Sequence, residues 1–179
     1  NKEVIDEFVK EFTVRTSPNV LEFYDKYEKL EDKSFIDKII NHEVTYNLND
    51  LDQIDENKSL RDYSEDLLNK IANDFELLIG GSCDLASSCK TRLKEFDAFS
   101  ENNYLGRNIY FGIREHAAGA IINGIALMGL RPFTSTFLVF SDYMRASIRE
   151  SAIMNLPVLY IFTHDSITVG FDGPLHQPI

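Results

Sequence analysis

Apolar side chains recur at Val4, Ile5, Phe8, Val9 and Phe12, intervals of three and four that place them on one face of a helix. Thr16 or Ser17 can cap a second helix, with Pro18 near its first turn, running through Phe23 and Tyr27 toward Leu30. Phe35, Ile36, Ile39 and Ile40 predict a third, short helix. From Thr45 to Lys58 the chain is rich in Asn and Asp and loses its period, which predicts a linker or surface loop. Beyond it the pattern changes. Leu60, Leu67, Leu68 and Ile71 lay an apolar stripe on a helix ending near Asn73, and short apolar runs then alternate with helical segments. The runs are Glu76 to Ile79, leading into Gly80-Gly81-Ser82, then Asn108 to Phe111, Phe133 to Phe137 and Pro157 to Phe162. Helices are predicted between them from about Arg114 to Met128 and from Asp142 to Met154. Strands alternating with helices across short loops predict an α/β fold, a parallel sheet with helices on both faces, because the crossover helices need a surface to pack on. Residues 1–59 read as a helical lead-in and linker, and residues 60–179 as the α/β domain.

Composition sharpens that boundary. All nine glycines lie between Gly80 and Gly173, and residues 1–60 hold eight basic and fifteen acidic side chains, most of the whole-chain net charge of −11. The lead-in carries no chemistry of its own and is expected to pack on the domain behind it. A chain of 179 residues buries enough surface to hold a core without disulfides or a structural metal. Its acidity argues against a dedicated nucleic-acid binder, while leaving room for a small anionic ligand where cations are gathered locally. No apolar run approaches the length of a membrane span, and no signal-peptide pattern is present. Cys83 and Cys89 have neither metal nor redox spacing and are expected to be reduced thiols of a cytoplasmic protein. The chain opens at Asn1 and stops at Ile179 just past a motif-like stretch, so an excised piece of a longer protein is expected.

In parallel α/β sheets, ligands sit at the carboxyl ends of the strands, which directs attention to the residues immediately after Ile79, Phe111, Phe137 and Phe162. Gly80-Gly-Ser-Cys-Asp-Leu-Ala-Ser-Ser88 lacks the Gly-Lys-Ser/Thr and Gly-x-Gly-x-x-Gly signatures, and a tight turn with a capping Asp is the local expectation. Gly112-Ile-Arg-Glu-His116 opens a helix so poor in large side chains (Ala117, Ala118, Gly119, Ala120, Gly124) that another backbone must pack close to it. Glu115 compensates the helix dipole there, or, facing an apolar interface that favours a neutral carboxyl, exchanges a proton. Phe137, Phe140 and Tyr143 form either core or a flat slot for a heteroaromatic ring. His164, Asp165, Asp172 and His176 share a glycine-bearing loop with neither helical metal spacing nor a Gly-x-Ser-x-Gly elbow.

Taken in order, Gly80-Gly-Ser-Cys-Asp-Leu, Tyr110-Phe-Gly-Ile-Arg-Glu-His-Ala, Asn123-Gly-Ile-Ala, Thr136-Phe-Leu-Val-Phe-Ser-Asp-Tyr, Leu156-Pro-Val and Thr163-His-Asp-Ser-Ile to Asp172-Gly-Pro-Leu-His-Gln-Pro resemble the central pyrimidine-binding domain of the transketolase family. The resemblance covers roughly residues 60–179. It implies the thiamine-diphosphate-binding fold and a cytoplasmic, homodimeric transferase of the pentose phosphate pathway. Such an enzyme moves a two-carbon ketol unit from a ketose phosphate to an aldose phosphate. It implies thiamine diphosphate as cofactor, with a divalent metal, magnesium or calcium, held by a separate domain whose Gly-Asp-Gly motif is not in this chain. Glu115 is then expected to bond the aminopyrimidine ring nitrogen and promote the imino tautomer. Phe137, Phe140 and Tyr143 form the pyrimidine slot, with Phe140 the stacking partner. His164 and His176 line the sugar channel as proton shuttles, and Asp172 reads a substrate hydroxyl. Arg61 and Ser88 hold the substrate phosphate, with Asp84 in the same region. Two positions depart from the family: Thr134-Ser135 replaces a common Gly-Gly, expected to stiffen or shift the strand edge, and Phe171 replaces an acidic residue.

The resemblance leaves other readings. A deoxyxylulose-phosphate synthase-like enzyme shares part of the motif set. A non-catalytic interaction module of the same fold has no use for Glu115, His164 and His176 together. A metal-dependent hydrolase would rest on His164, Asp165, Asp172 and His176. The fragment by itself is expected to be inactive and to bind the cofactor barely, and its small-residue helix is expected to self-associate when bare.

Overall fold

Four strands, β1 (Leu78–Ser82), β2 (Asn108–Tyr110), β3 (Arg131–Phe137) and β4 (Leu159–Thr163), form one parallel sheet in the order β2-β1-β3-β4. The computed structural model describes residues 21–41, 57–165, 173, 175 and 176, so the helix expected over Val4–Phe12, the capping site at Thr16–Pro18 and most of the expected linker lie outside the described residues. The chain divides into two units, Asn1–Asn41 and His42–Ile179.

In the first unit, helix α1 spans residues 21–28 and α2 spans Ser34–Ile40, where the apolar period predicts them. Glu22–Lys26 and Asp25–Lys29 pair at i, i+4 along α1, and the Tyr27 hydroxyl donates to Asp37.

In the second unit, α3 (Leu60–Asp74) is capped by Ser59, whose hydroxyl oxygen accepts from the Asp62 amide at 3.2 Å. Leu68 and Ala72 form its buried stripe. A short helix α4 (Ala86–Cys89) follows β1, α5 (Glu115–Leu127) follows β2, and α6 (Arg145–Ile153) leads into β4. Helices cover both faces of the sheet. The Ser135 hydroxyl meets Thr91, just beyond α4, at 2.6 Å, and on the opposite face of β3 Thr136 reaches Glu115 of α5. The apolar core under α5 comprises Cys83, Phe111, Ala118, Ile122 and Met144, and Phe133 is fully buried in β3. Each such large side chain contributes roughly 1.5–3 kcal/mol by leaving water.

Three local expectations need correction. Gly80 and Gly81 do not make a turn; they lie inside β1. A Cβ on Gly80 would sit 2.2 Å from the Phe133 carbonyl oxygen, and one on Gly81 would sit 1.8 Å from that of Ile109. The glycines let three backbones close on one another, a requirement that local sequence does not distinguish from a turn. Nor does Asp84 cap the next helix: α4 has no side-chain cap of its own, and the Ser82 hydroxyl accepts from the Leu85 amide at 3.2 Å. The helix expected from Asp142 begins earlier, as a 3₁₀ helix over Leu138–Tyr143, and becomes α6 only at Arg145.

The small-residue helix α5 meets its close neighbour in α6. A Cβ on Gly119 would lie 2.2 Å from the Ser147 hydroxyl, and Asn123 donates to the Ser147 carbonyl at 2.9 Å. Its other side is open, with nothing near Gly124 and with Ile121, Leu127 and Met128 exposed. At Thr134-Ser135, the Ser135 hydroxyl also reaches the Gly81 carbonyl at 3.4 Å, while the buried Thr134 hydroxyl has the Cys83 thiol as its neighbour. Among the described residues no helix is long and apolar enough to cross a membrane.

Candidate functional site

The strand order has one reversal. β1 passes its chain outward to β2 on one side, whereas β3 passes its chain to β4 on the other. The strands stay paired to Ser82 and Ser135, but the chain segments that leave their carboxyl ends run to opposite sides and leave a crevice, the place where open α/β sheets accept ligands. A cleft of about 470 Å³ opens there, lined by Cys83, Asp84 and Leu85 after β1, Ile113 and Glu115 after β2, Phe140 and Tyr143 after β3, and His176.

Each lining group has a local cause. Gly112, at φ +69°, turns the chain sharply from β2 into α5 and places Glu115 in the first helical turn. The Glu115 side chain is buried, and Thr136 donates to its Oε1 at 3.5 Å, the outer limit of a hydrogen bond. Its carboxyl lies at the N-terminus of α5, and among the described residues no other side chain bonds it. Beside it, burial and the Glu115 charge push the Cys83 thiol up to about 11, and burial also raises the Cys89 thiol. Both cysteines are free and buried, so neither is a nucleophile at neutral pH.

The aromatic set is built by the 3₁₀ helix. With three residues per turn, Phe137, Phe140 and Tyr143 fall along one line. The Phe137 and Phe140 rings are nearly parallel, 9° apart with centroids at 6.1 Å, and Tyr143 continues the row at 6.3 Å with a 32° tilt. His176 stands edge-on to both phenylalanines, 5.7 Å from Phe137 and 5.5 Å from Phe140. Phe137 itself is buried, Phe140 half-buried and Tyr143 exposed.

A second cluster adjoins through Phe137. His164 stacks on that ring at 3.8 Å, its backbone in the left-handed region at φ +60°. Its Nε2 lies 3.0 Å from Arg61 Nη1 and its Nδ1 2.9 Å from the Thr163 hydroxyl. Arg61 comes from the first turn of α3, 103 residues away in sequence.

The structure thus brings Glu115, Phe140, Tyr143, Asp84 and His176 into one cleft, and joins Arg61, His164 and Phe137 beside it. Ser88, on α4, does not line the cleft. Asp172 lies outside the described residues. Cys83, Leu85 and Ile113 line the cleft without having been singled out from sequence. For Ile113 the available signal was a large aliphatic residue set between a turn glycine and a helix opener.

The residues present fit a flat, partly polar ring: an aromatic row, a buried carboxyl with open acceptor capacity, and imidazoles at the rim. The family described as "Transketolase, pyrimidine binding domain" matches residues 56–179. A transketolase of Halalkalibacterium halodurans is 52% identical over 71% of this chain, a stretch that covers 19% of that protein. The chain accordingly spans about a fifth of the length of such curated relatives. Among solved structures, the fold is similar to transketolase from Campylobacter jejuni, with a TM-score of 0.76 and 38% identity over 91% of this chain and 25% of that one. It is similar also to a Pichia stipitis transketolase complex with sedoheptulose 7-phosphate, with a TM-score of 0.76 and 33% identity over 95% of this chain and 26% of that one.

Proposed function

Because the chain belongs to the transketolase family through its pyrimidine-binding domain, we propose that it supplies the ring-binding half of a thiamine diphosphate site. The enzyme so formed transfers a two-carbon ketol unit from a ketose phosphate to an aldose phosphate. The observation that carries this reading is Glu115, a buried carboxyl opening α5 at the wall of a cleft whose other wall is the Phe140–Tyr143 aromatic row. When bound, the cofactor supplies a carbon nucleophile for the sugar carbonyl.

The chain's own residues then divide the work. Glu115 holds a proton at a carboxyl oxygen for the ring nitrogen, while Phe137, Phe140 and Tyr143 orient the ring, with Phe140 as its stacking face. His164 and His176 exchange protons with sugar hydroxyls, and Asp172 accepts from one. Arg61 receives the substrate phosphate on its guanidinium fork, and Ser88 and Asp84 complete that region. The diphosphate and its divalent metal, magnesium or calcium, are held by parts of the protein other than this chain. Exposed Ile113 at the cleft and exposed Ile121, Leu127 and Met128 along α5 and at its far end support a homodimer that covers them. Two buried free thiols suit a cytoplasmic setting.

The test is ketol transfer by the intact protein with thiamine diphosphate and magnesium, run against pyruvate plus an aldose phosphate. Transfer from the ketose phosphate is expected. Product from pyruvate alone would move the assignment to a deoxyxylulose-phosphate synthase-type enzyme, and no product from either would overturn it. The 179-residue chain by itself is expected to be silent. Stacking of one ring contributes about 0.5–1.5 kcal/mol, which after association entropy leaves binding at millimolar or weaker in calorimetry.

A further inference from the structure

Both ring nitrogens of His164 are engaged, and each partner leaves only one assignment. Arg61 Nη1, 3.0 Å from Nε2, is a donor and never an acceptor, so Nε2 must carry the lone pair. At the other nitrogen, the Thr163 hydroxyl donates its single proton to the Cys89 sulfur at 3.3 Å. It therefore meets Nδ1 as an acceptor, at 2.9 Å, and Nδ1 must carry the hydrogen. An imidazolium would set an N–H against the guanidinium. Two independent contacts thus agree on one neutral tautomer. The backbone reinforces it: the left-handed φ of +60° folds the ring back onto Phe137 at 3.8 Å, a conformation that costs free energy in a non-glycine residue and needs the surrounding contacts to persist.

We propose that Thr163 is a positioning residue for His164. Anchored on Cys89 at the end of β4, its hydroxyl holds the imidazole as the Nδ1–H tautomer and aims the Nε2 lone pair at Arg61. The sequence run Thr163-His164 thus places a tautomer selector directly before the group it orients, and Cys89, inert as a nucleophile, acts as the buried acceptor that fixes the hydroxyl's direction. Resting on the proposed function, Thr163 thereby holds the imidazole in register with Arg61 for the substrate that both residues meet.

Long-range ¹H–¹⁵N correlation spectra of the labelled chain read the tautomer directly, with His164 assigned among four histidines by loss of its signals in His164→Gln. The wild type is expected to show Nδ1 protonated and Nε2 bare. Thr163→Val should lose that pattern and Thr163→Ser keep it. Cys89→Ala, which retains Thr163 but frees its hydroxyl to donate, should lower the Nδ1–H population and serves where Thr163→Val fails to fold. An Nε2–H ring or an imidazolium in the wild type, or an unchanged spectrum in Thr163→Val or Cys89→Ala, would overturn the proposal. This readout needs no ketol transfer, so its failure and that of the enzymatic reading are told apart. In the intact enzyme, Thr163→Val is expected to lower kcat by about tenfold with KM little changed, and Thr163→Ser to restore it. Equal loss in both variants would reduce Thr163 to a packing role.

Discussion

Exchanging Glu115 for Gln separates the proposed proton relay from any structural service the residue performs. The amide keeps the shape of the side chain and the Oε1 acceptor that Thr136 reaches at 3.5 Å. Loss of the negative charge at the start of α5 removes a dipole interaction of about 0.3–1 kcal/mol. Against that, a buried group no longer has to be desolvated as an anion. The two effects oppose each other, so stability should move by less than about 1 kcal/mol. A lost acid–base function instead costs roughly 10²–10⁴-fold in rate, or about 2.7–5.5 kcal/mol of barrier. The ranges do not overlap. A coupled ketol-transfer assay on the intact protein, paired with urea unfolding of wild type and variant, should therefore show turnover down by orders of magnitude with unfolding free energies within about 1 kcal/mol of each other. Turnover within about threefold of wild type would refute the relay assignment. A collapse of stability alongside activity would make Glu115 a structural residue.

Four further outcomes are expected. Gly81→Ala should destabilise the fold by more than the about 1–3 kcal/mol of ordinary overpacking, because its Cβ would lie 1.8 Å from the Ile109 backbone oxygen; a loss in urea unfolding below that range would contradict the close approach of β1 and β2. Thr134→Val removes a buried hydroxyl whose neighbour is the weakly accepting Cys83 thiol and should raise stability by about 1 kcal/mol, whereas an equal fall would show that the contact with the thiol is a bond of full strength. Lys90, with the Ser59 hydroxyl, holds the Asp62 carboxyl down to about 2 from an ordinary 3.8. The stabilisation this depressed group contributes is present above pH 3.8 and lost as pH falls toward 2, so Lys90→Met should flatten that part of the acid-unfolding curve; superimposable curves would dismiss the pair. Arg61→Ala should raise KM for phosphorylated sugars and leave free sugars nearly unchanged, and an equal effect on both would limit Arg61 to supporting His164.

What could be read from the amino-acid order was whatever repeats over short distances. Apolar runs located all four strands, and an apolar stripe of helical period located α3, because each element's pattern is written within its own residues. Ordered motifs, rather than periodicity, pointed to Glu115, Phe140, Tyr143 and His176, and these do share one cleft. Local pattern failed where a residue answers to a distant backbone. Gly80-Gly81 looks like a turn but serves three strands that approach within reach of a Cβ, and the start of the expected helix at Asp142 gave way to a 3₁₀ turn that aligns the aromatics. Ser88 shares a motif with Asp84 yet sits on α4 away from the cleft, while Cys83, Leu85 and Ile113 reach it unannounced. The pairing of Arg61 with His164, 103 residues apart, and the crevice between β1 and β3 were legible nowhere in the chain. Spacing along the sequence determines which side chains share a face of one element. Which elements lie side by side is decided by the strand pairing and close backbone contacts of the folded sheet, and the site exists only where that order reverses.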